Sequence, residues 1–274
     1  MDFVGIVSLY ETFKEYFTAL LLVLPRTYAF IIASQLLPAT AVPRLARTTL
    51  ILLISMPLVP TVMPLQGLFE QNVGLYFGYF AKEAALGFIM GFCMTWLFWS
   101  VQAAGTFIDN QRGAAIASSI DPLQGHESSP LGLLFSQAWI TYFFSFGGFL
   151  IIVGILYASF ERWPIYELLP IINDDFPAMM LEILDLGMRL TVLFAAPIIA
   201  VMFFAEFALA MVSRFAPQVQ VFILAMPIKS AIAMVLLIFY IPIMMRYALA
   251  EQDLLQVYID RLFTILEVGR DNAN

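Results

Sequence analysis

Apolar residues in this chain gather into long runs, near 16–37, 48–66, 72–108, 128–160, 186–213 and 215–246. A helix rises 1.5 Å per residue and a hydrocarbon core is about 30 Å thick, so about 20 apolar residues make one crossing. The simplest count is six membrane segments in an all-α membrane protein. The run at 72–108 would reach roughly 55 Å if it were one continuous helix. That predicts either a helix projecting well beyond the bilayer or a kinked hairpin, and Gly74, Gly78, Gly87 and Gly91 permit close helix packing in both cases.

Pro25, Pro57, Pro60, Pro64, Pro197, Pro217, Pro227 and Pro242 lie in or beside these runs. Each removes a backbone donor and disfavours a straight helix through its position, so long kinked helices and helical hairpins are expected. The plainer explanation is that proline is simply more frequent in membrane helices than in soluble ones.

Between two of the runs lies a tract of a different kind, Gly105–Pro130, in which Asp109, Arg112, Asp121 and Glu127 are spaced through small and apolar residues. Irregular polar backbone beside lipid-exposed helices is tolerated only where it is buried in protein or lines a water-filled cavity. The tract is therefore expected to face inward, toward a pore or a subunit core. Gly105, Gly113 and Gly125 allow backbone shapes that other residues resist, Asp121-Pro122 favours a turn, and Ala114 to Ser119 are small enough to pack closely and withdraw. The alternative is a fixed connection in which Asp109 and Arg112 pair with each other at helical spacing.

Composition settles the class. Hydrophobic residues make up 62% of the 274 positions and charged residues 12%, about half the usual charged share of a soluble globule. The formal net charge of −7 is spread out, so no nucleic-acid-binding patch is implied. Cys93, inside an apolar run, cannot form an internal disulfide and reads as packing. Residues 1–15 carry Asp2, Glu11 and Glu15 against Lys14, unlike the basic opening of a cleaved signal, and are expected to belong to the mature chain.

The arginines do not alternate between loops as the positive-inside rule requires, so orientation stays open. The stretch from Glu161 to Asp185 holds six acidic residues against Arg162, which is compatible with a non-cytoplasmic face. In the tail 247–274, Leu255, Ile259, Leu262, Phe263 and Leu266 recur at helical spacing and predict an amphipathic helix that lies on a partner or on the membrane surface.

Charges within the runs are few: Arg26, Lys82, Glu83, Glu206 and Lys229. Each is costly in hydrocarbon and should face protein or water. They read either as paired contacts between helices or subunits or as members of a proton relay. Glu206 and Lys229 lie 11 and 12 positions from Pro217, so a tight hairpin would place them at nearly equal depth, where they could pair. The lone histidine, His126, reads as a loop contact. No His/Cys cluster, phosphate-cradling loop or nucleophile elbow is present, which predicts no enzyme, no metal and no cofactor. The fourteen methionines read as apolar filling. On physics alone a secondary transporter for a small solute remains the alternative function.

Two blocks carry a resemblance. Asp109-Asn-Gln-Arg-Gly-Ala-Ala-Ile-Ala-Ser-Ser-Ile-Asp-Pro, followed by Glu127-Ser-Ser-Pro-Leu-Gly, resembles the central motif of the SctT family of the type III secretion export apparatus, whose flagellar counterpart is FliR. Ser213-Arg-Phe-Ala-Pro-Gln-Val-Gln-Val-Phe-Ile-Leu-Ala-Met-Pro-Ile-Lys-Ser resembles that family's other signature. Gln-Arg-Gly and Met-Pro-Ile-Lys-Ser stand closer to the virulence branch than to the flagellar one.

The resemblance implies an export-gate component of a bacterial type III secretion system that helps form the channel passing unfolded proteins through the inner membrane. It implies assembly with membrane proteins of the SctR and SctS types, and contact with the SctU and SctV types, in a helical complex partly above the bilayer plane. The chain would act as a single domain over 1–274, with 105–130 as a plug in the channel. Gly105, Asp109, Gln111, Arg112, Gly113, Ala117, Asp121, Pro122, Gly125 and Pro130 would belong to that plug. Lys82, Glu83, Glu206, Arg214, Pro217, Pro227 and Lys229 would serve subunit packing or buried-charge contacts.

Overall fold

The computed structural model describes residues 3–38, 42–62, 73–113, 129–167, 175–215 and 221–271. Every regular element among them is helical: α1 (Phe3–Ala33), α2 (Arg44–Ser55), a 3₁₀ turn at Met56–Leu58 running into α3 (Val59–Val62), α4 (Val73–Arg112), α5 (Pro130–Ser145), α6 (Gly148–Arg162), α7 (Asp175–Phe215), α8 (Val221–Ala250) and α9 (Asp253–Asp271). Five segments are long and apolar enough to cross a membrane, or six if the broken pair α5 and α6 is counted as one span. The six runs read from hydropathy thus correspond to helices.

The run beginning near residue 72 is one helix and not a hairpin. α4 has 40 residues and α7 has 41, so each extends about 60 Å, twice the thickness of a hydrocarbon core. α7 carries Asp175 in its first turn and Arg214 in its last, the arrangement that complements the helix dipole.

Proline breaks fewer helices than expected. Pro25 lies inside α1, Pro197 inside α7, and Pro227 and Pro242 inside α8, all in continuous helices. In apolar surroundings one missing backbone donor is less disruptive than unwinding, which would strip several amides of their partners. Pro57 sits in the 3₁₀ turn and Pro60 in α3, while Pro64 and Pro217 lie outside the described residues. The interruption between α5 and α6 falls at Gly147, whose φ of +82° is a left-handed conformation that glycine adopts without steric cost.

The chain forms two compact units. Unit 1 comprises Met1–Thr95, Gly147–Met180 and Leu254–Asn274, and unit 2 comprises Trp96–Phe146 and Leu181–Asp253. In unit 1, Ala19, Leu22 and Val23 of α1 pack with Leu58, Val59 and Val62, Tyr76 of α4 and Ile165. Tyr76 also donates from its hydroxyl to the carbonyl of Thr18, 3.0 Å away. Two glycines bring α1 against α4: a β-carbon at Gly87 would stand 2.2 Å from the Arg26 carbonyl oxygen, and one at Gly91 2.6 Å from that of Phe30. The tail helix α9 buries Leu255, Ile259, Leu262, Phe263 and Leu266. Its apolar stripe is thus covered by the chain itself, where the sequence pointed to a partner or the membrane surface. Arg162 of α6 stands over the Phe263 ring at 5.6 Å and reaches Asp260 at 2.7 Å.

Unit 2 has an aromatic core in which Phe98 of α4 meets Phe143 edge-on at 5.3 Å and Trp139 at 6.1 Å. Ser100 donates to the Gly187 carbonyl at 2.9 Å, which fixes α4 beside α7.

Candidate functional site

Asp109 is the centre of the polar node in unit 2. It lies near the C-terminal end of α4 with only 2% of its surface exposed. Its Oδ1 accepts from Arg112 Nε at 2.6 Å. Its Oδ2 accepts from the Ser129 hydroxyl at 2.6 Å and from the Leu131 backbone N–H at 2.9 Å. One carboxylate therefore ties the end of α4 to the start of α5. A buried carboxylate is tolerable only with such a set of charge-assisted hydrogen bonds.

The start of α5 follows from local sequence. Ser129 precedes Pro130, the residue type favoured at the first helical position, and the Ser129 hydroxyl accepts from the Gly132 N–H at 2.9 Å as a helix cap. Backbone contact between the two helices depends on small residues: a β-carbon at Gly105 would come within 2.7 Å of the Leu131 carbonyl and the Gly132 nitrogen. Gly113 ends α4 with a φ of +86° and sits against the side chain of Met226.

Met226 belongs to the second block, and so does the next contact. Arg112 donates from Nη1 to the Ser230 hydroxyl of α8 at 3.1 Å. The two sequence blocks that carry the family resemblance thus meet at Asp109, Arg112, Gly113, Met226 and Ser230. The residue before Ser230 is Lys229, whose ammonium donates to Glu206 of α7 at 3.2 Å. The pair expected from the hairpin spacing is present.

Gly105, Asp109, Gln111 and Arg112 are helical, although irregular backbone was expected from Gly105 onward. The helix continues because Asp109 and Arg112 pair one turn apart and because Gly105 is needed for contact with α5, not for a turn. Pro130 opens α5, Arg214 is exposed in the last turn of α7, and Pro227 is exposed in α8. Ala117, Asp121, Pro122, Gly125, His126 and Pro217 lie outside the described residues. Ser129 and Ser230 are the node members that residue-by-residue reading passed over. The Ser-Pro step before an apolar run was the available signal for the first, and for the second only its place at the end of the second motif block.

A second polar centre lies in unit 1. Arg26 is fully buried and its guanidinium is fully engaged. Nε and Nη2 donate to the two oxygens of Glu83 at 2.6 and 2.9 Å, Nη1 to the Ser159 carbonyl at 2.8 Å, and Nη2 also to the Trp163 carbonyl at 2.8 Å. Lys82 stands 2.8 Å from Glu83 Oε1 and donates to the carbonyls of Pro164, Ile165 and Glu167. The two cations, held by the Glu83 carboxylate, thus gather carbonyls of the last turn of α6 and of the segment that follows it, most of which would otherwise be orphaned there. Among the described residues no group of three or more His, Cys, Asp or Glu side chains is placed to hold a metal ion.

Residues 17–254 match the family described as bacterial export proteins, family 1. The chain belongs to that family. It is 42% identical over 186 residues to the Yop proteins translocation protein T of Yersinia pestis, covering 68% of this chain and 71% of that one. It is 30% identical to the secretion system apparatus protein SsaT of Salmonella typhimurium, covering 80% of this chain and 85% of that one. The flagellar biosynthetic protein FliR of Bacillus subtilis is 28% identical, with 82% and 86% covered. Both the resemblance read from the two blocks and its lean toward the non-flagellar branch agree with these values. Membership in an export family leaves the small-solute transporter without support.

Proposed function

We propose that this chain is an export-gate component of a bacterial type III secretion system, set in the inner membrane and helping to form the channel through which unfolded proteins pass. The observation that carries the reading is the meeting of the two family blocks at the Asp109–Arg112–Ser230 node, in a chain that belongs to the bacterial export proteins. A gate needs a rigid frame around a segment that can change, and the node ties three helices together at the point where the 105–130 tract leaves α4 and rejoins α5.

In this reading the tract is a plug in the channel. Its flanks Gly105, Asp109, Gln111, Arg112, Gly113 and Pro130 anchor it, and Ala117, Asp121, Pro122 and Gly125 form its body. The partners are membrane proteins of the SctR and SctS types, with SctU and SctV types in the same machine. Helices of about 60 Å support a placement partly above the bilayer plane, since their ends must be housed outside the hydrocarbon. The chain works as one export domain and performs no catalytic step.

The test uses the whole assembly in bacterial membranes. Deleting residues 114–119 should leave the partners copurifying and raise the membrane's permeability to ions, whereas loss of the whole chain should abolish export. An assembly that forms normally and stays as ion-tight as the parent would remove the plug, and normal export without the chain would remove the gate.

A further inference from the structure

Glu206 lies eight residues before Arg214 and seventeen after Arg189 on the same helix, so it sits roughly 12 Å and 25 Å from those charges, within the apolar part of α7. Its side chain is 51% exposed, while that of its partner Lys229 is 11% exposed. The ion pair uses Oε2, and among the described residues no donor reaches Oε1. The face around it is apolar: Phe203, one turn before Glu206, and Phe207, the next residue, are both more than half exposed.

Three environments could meet this face. Water would suit the carboxylate but not the two exposed phenylalanines, Phe203 and Phe207, beside it. Lipid would suit the rings but would leave a carboxylate oxygen unpaired in hydrocarbon, at a cost of several kcal/mol even when the net charge is cancelled by a neighbour. Protein satisfies both, if it is apolar and brings a donor to the depth of Glu206. A second copy of this chain meeting the first face to face would bring the same carboxylate and repel it. One and two turns further on, Ala210 and Ser213 lie on the Glu206 side of the helix, and small residues there let another backbone approach closely.

We propose that the face of α7 formed by Phe203, Glu206, Phe207 and Ala210 docks a transmembrane helix of an unlike membrane protein that presents a cationic or amide donor side chain to Glu206. The inference rests on the export reading only in taking the partner from the same membrane assembly.

The test places a photoreactive benzoylphenylalanine at Phe207 in the full chain, in membranes of the native host, with Phe239 on α8 as a comparison position. Irradiation should give a discrete adduct with another membrane protein, mapped within one helical turn of an Arg, Lys, Asn or Gln in a transmembrane segment. Glu206→Lys should lower that adduct at least tenfold while the chain still inserts, and replacing the mapped partner cation by Glu in the same strain should restore it. Where the mapped donor is Asn or Gln, its replacement by Ala should lower the adduct in the unsubstituted chain. Lipid adducts, no adduct, an adduct with a second copy of this chain, or an adduct with a segment lacking any donor would overturn the docking. So would an adduct indifferent to Glu206→Lys. Export measured in the same strain separates the two readings: export without the expected adduct removes the docking surface and leaves the export function standing.

Discussion

Arg112 and Ser230 are 118 residues apart in the chain, yet the guanidinium donates to the hydroxyl at 3.1 Å while holding Asp109 at 2.6 Å. That contact joins the end of α4 to α8 and makes the two motif blocks one structural unit.

Removing the acceptor should weaken the node measurably. Ser230→Ala is expected to cost about 1.5 kcal/mol, the value of a hydrogen bond to a charged group, and Asp109→Ala about 3 kcal/mol because Arg112 is left without its carboxylate and the Leu131 N–H loses its acceptor. Thermal unfolding of the purified assembly in mild detergent measures both. Equal effects of the two substitutions would show that Asp109 does not organise the node.

In the Arg26–Glu83–Lys82 centre the carboxylate should be the least replaceable member. Its loss leaves two cations buried together, whereas loss of either cation leaves a neutral pair. Glu83→Gln should therefore destabilise by about 3–5 kcal/mol, more than Lys82→Met. The order of the two apparent melting temperatures decides the matter, and Lys82→Met melting below Glu83→Gln would refute it.

Gly87 and Gly78 lie on the same helix and predict opposite outcomes. A β-carbon at Gly87 meets the Arg26 backbone at 2.2 Å, while one at Gly78 meets nothing within 4 Å. Gly87→Ala should lose about 3 kcal/mol or more by overpacking against an atom that cannot rotate away, and Gly78→Ala should be neutral or stabilising by up to about 1 kcal/mol. The yield of folded protein and its melting temperature report both. A tolerated Gly87→Ala would mean that α1 and α4 do not meet as described.

The tail helix should depend on packing and not on its ion pair. Arg162 and Asp260 are 43% and 61% exposed, so Asp260→Asn should change stability by less than about 1 kcal/mol. Phe263, buried to 2% exposure, should cost about 3–5 kcal/mol on truncation to Ala. Protease accessibility of the tail, compared between the two variants, gives the answer; a tail released by Asp260→Asn would reverse the assignment.

Glu206 and Lys229 should behave as a coupled pair. Each single substitution to Gln is expected to impair assembly and the double substitution to recover part of the loss, read by copurification of the partners. Strictly additive losses would mean that the 3.2 Å contact carries no coupling.

The existence of the membrane helices was legible in the sequence, because a run of some 20 apolar residues in a chain this poor in charge has no soluble alternative, but their starts were not: α1 and α7 begin 13 and 11 residues before the runs at 16 and 186. The Glu206–Lys229 pair was legible too, since a hairpin converts equal distance from a turn into equal depth. The same holds for the two motif blocks, whose residue types alone carried the family.

Tertiary structure decided what those residues meet. Nothing in the spacing of Arg26, Lys82 and Glu83 announces that they gather the carbonyls from Ser159 to Glu167, because hydrogen bonds to backbone leave no trace in residue identity. That the helices run on without a break through Pro25, Pro197, Pro227 and Pro242 was decided by the fold, since the penalty for a missing donor depends on whether water or hydrocarbon is the alternative. The sequence offers Gly105 for its backbone freedom, yet the fold uses it for contact, a difference that depends on the backbone of α5 lying within 3 Å of where its side chain would be. Sequence determined which segments enter the membrane because that depends on summed transfer free energy; which atoms pair once there depends on distances between segments far apart in the chain, and only the fold sets those.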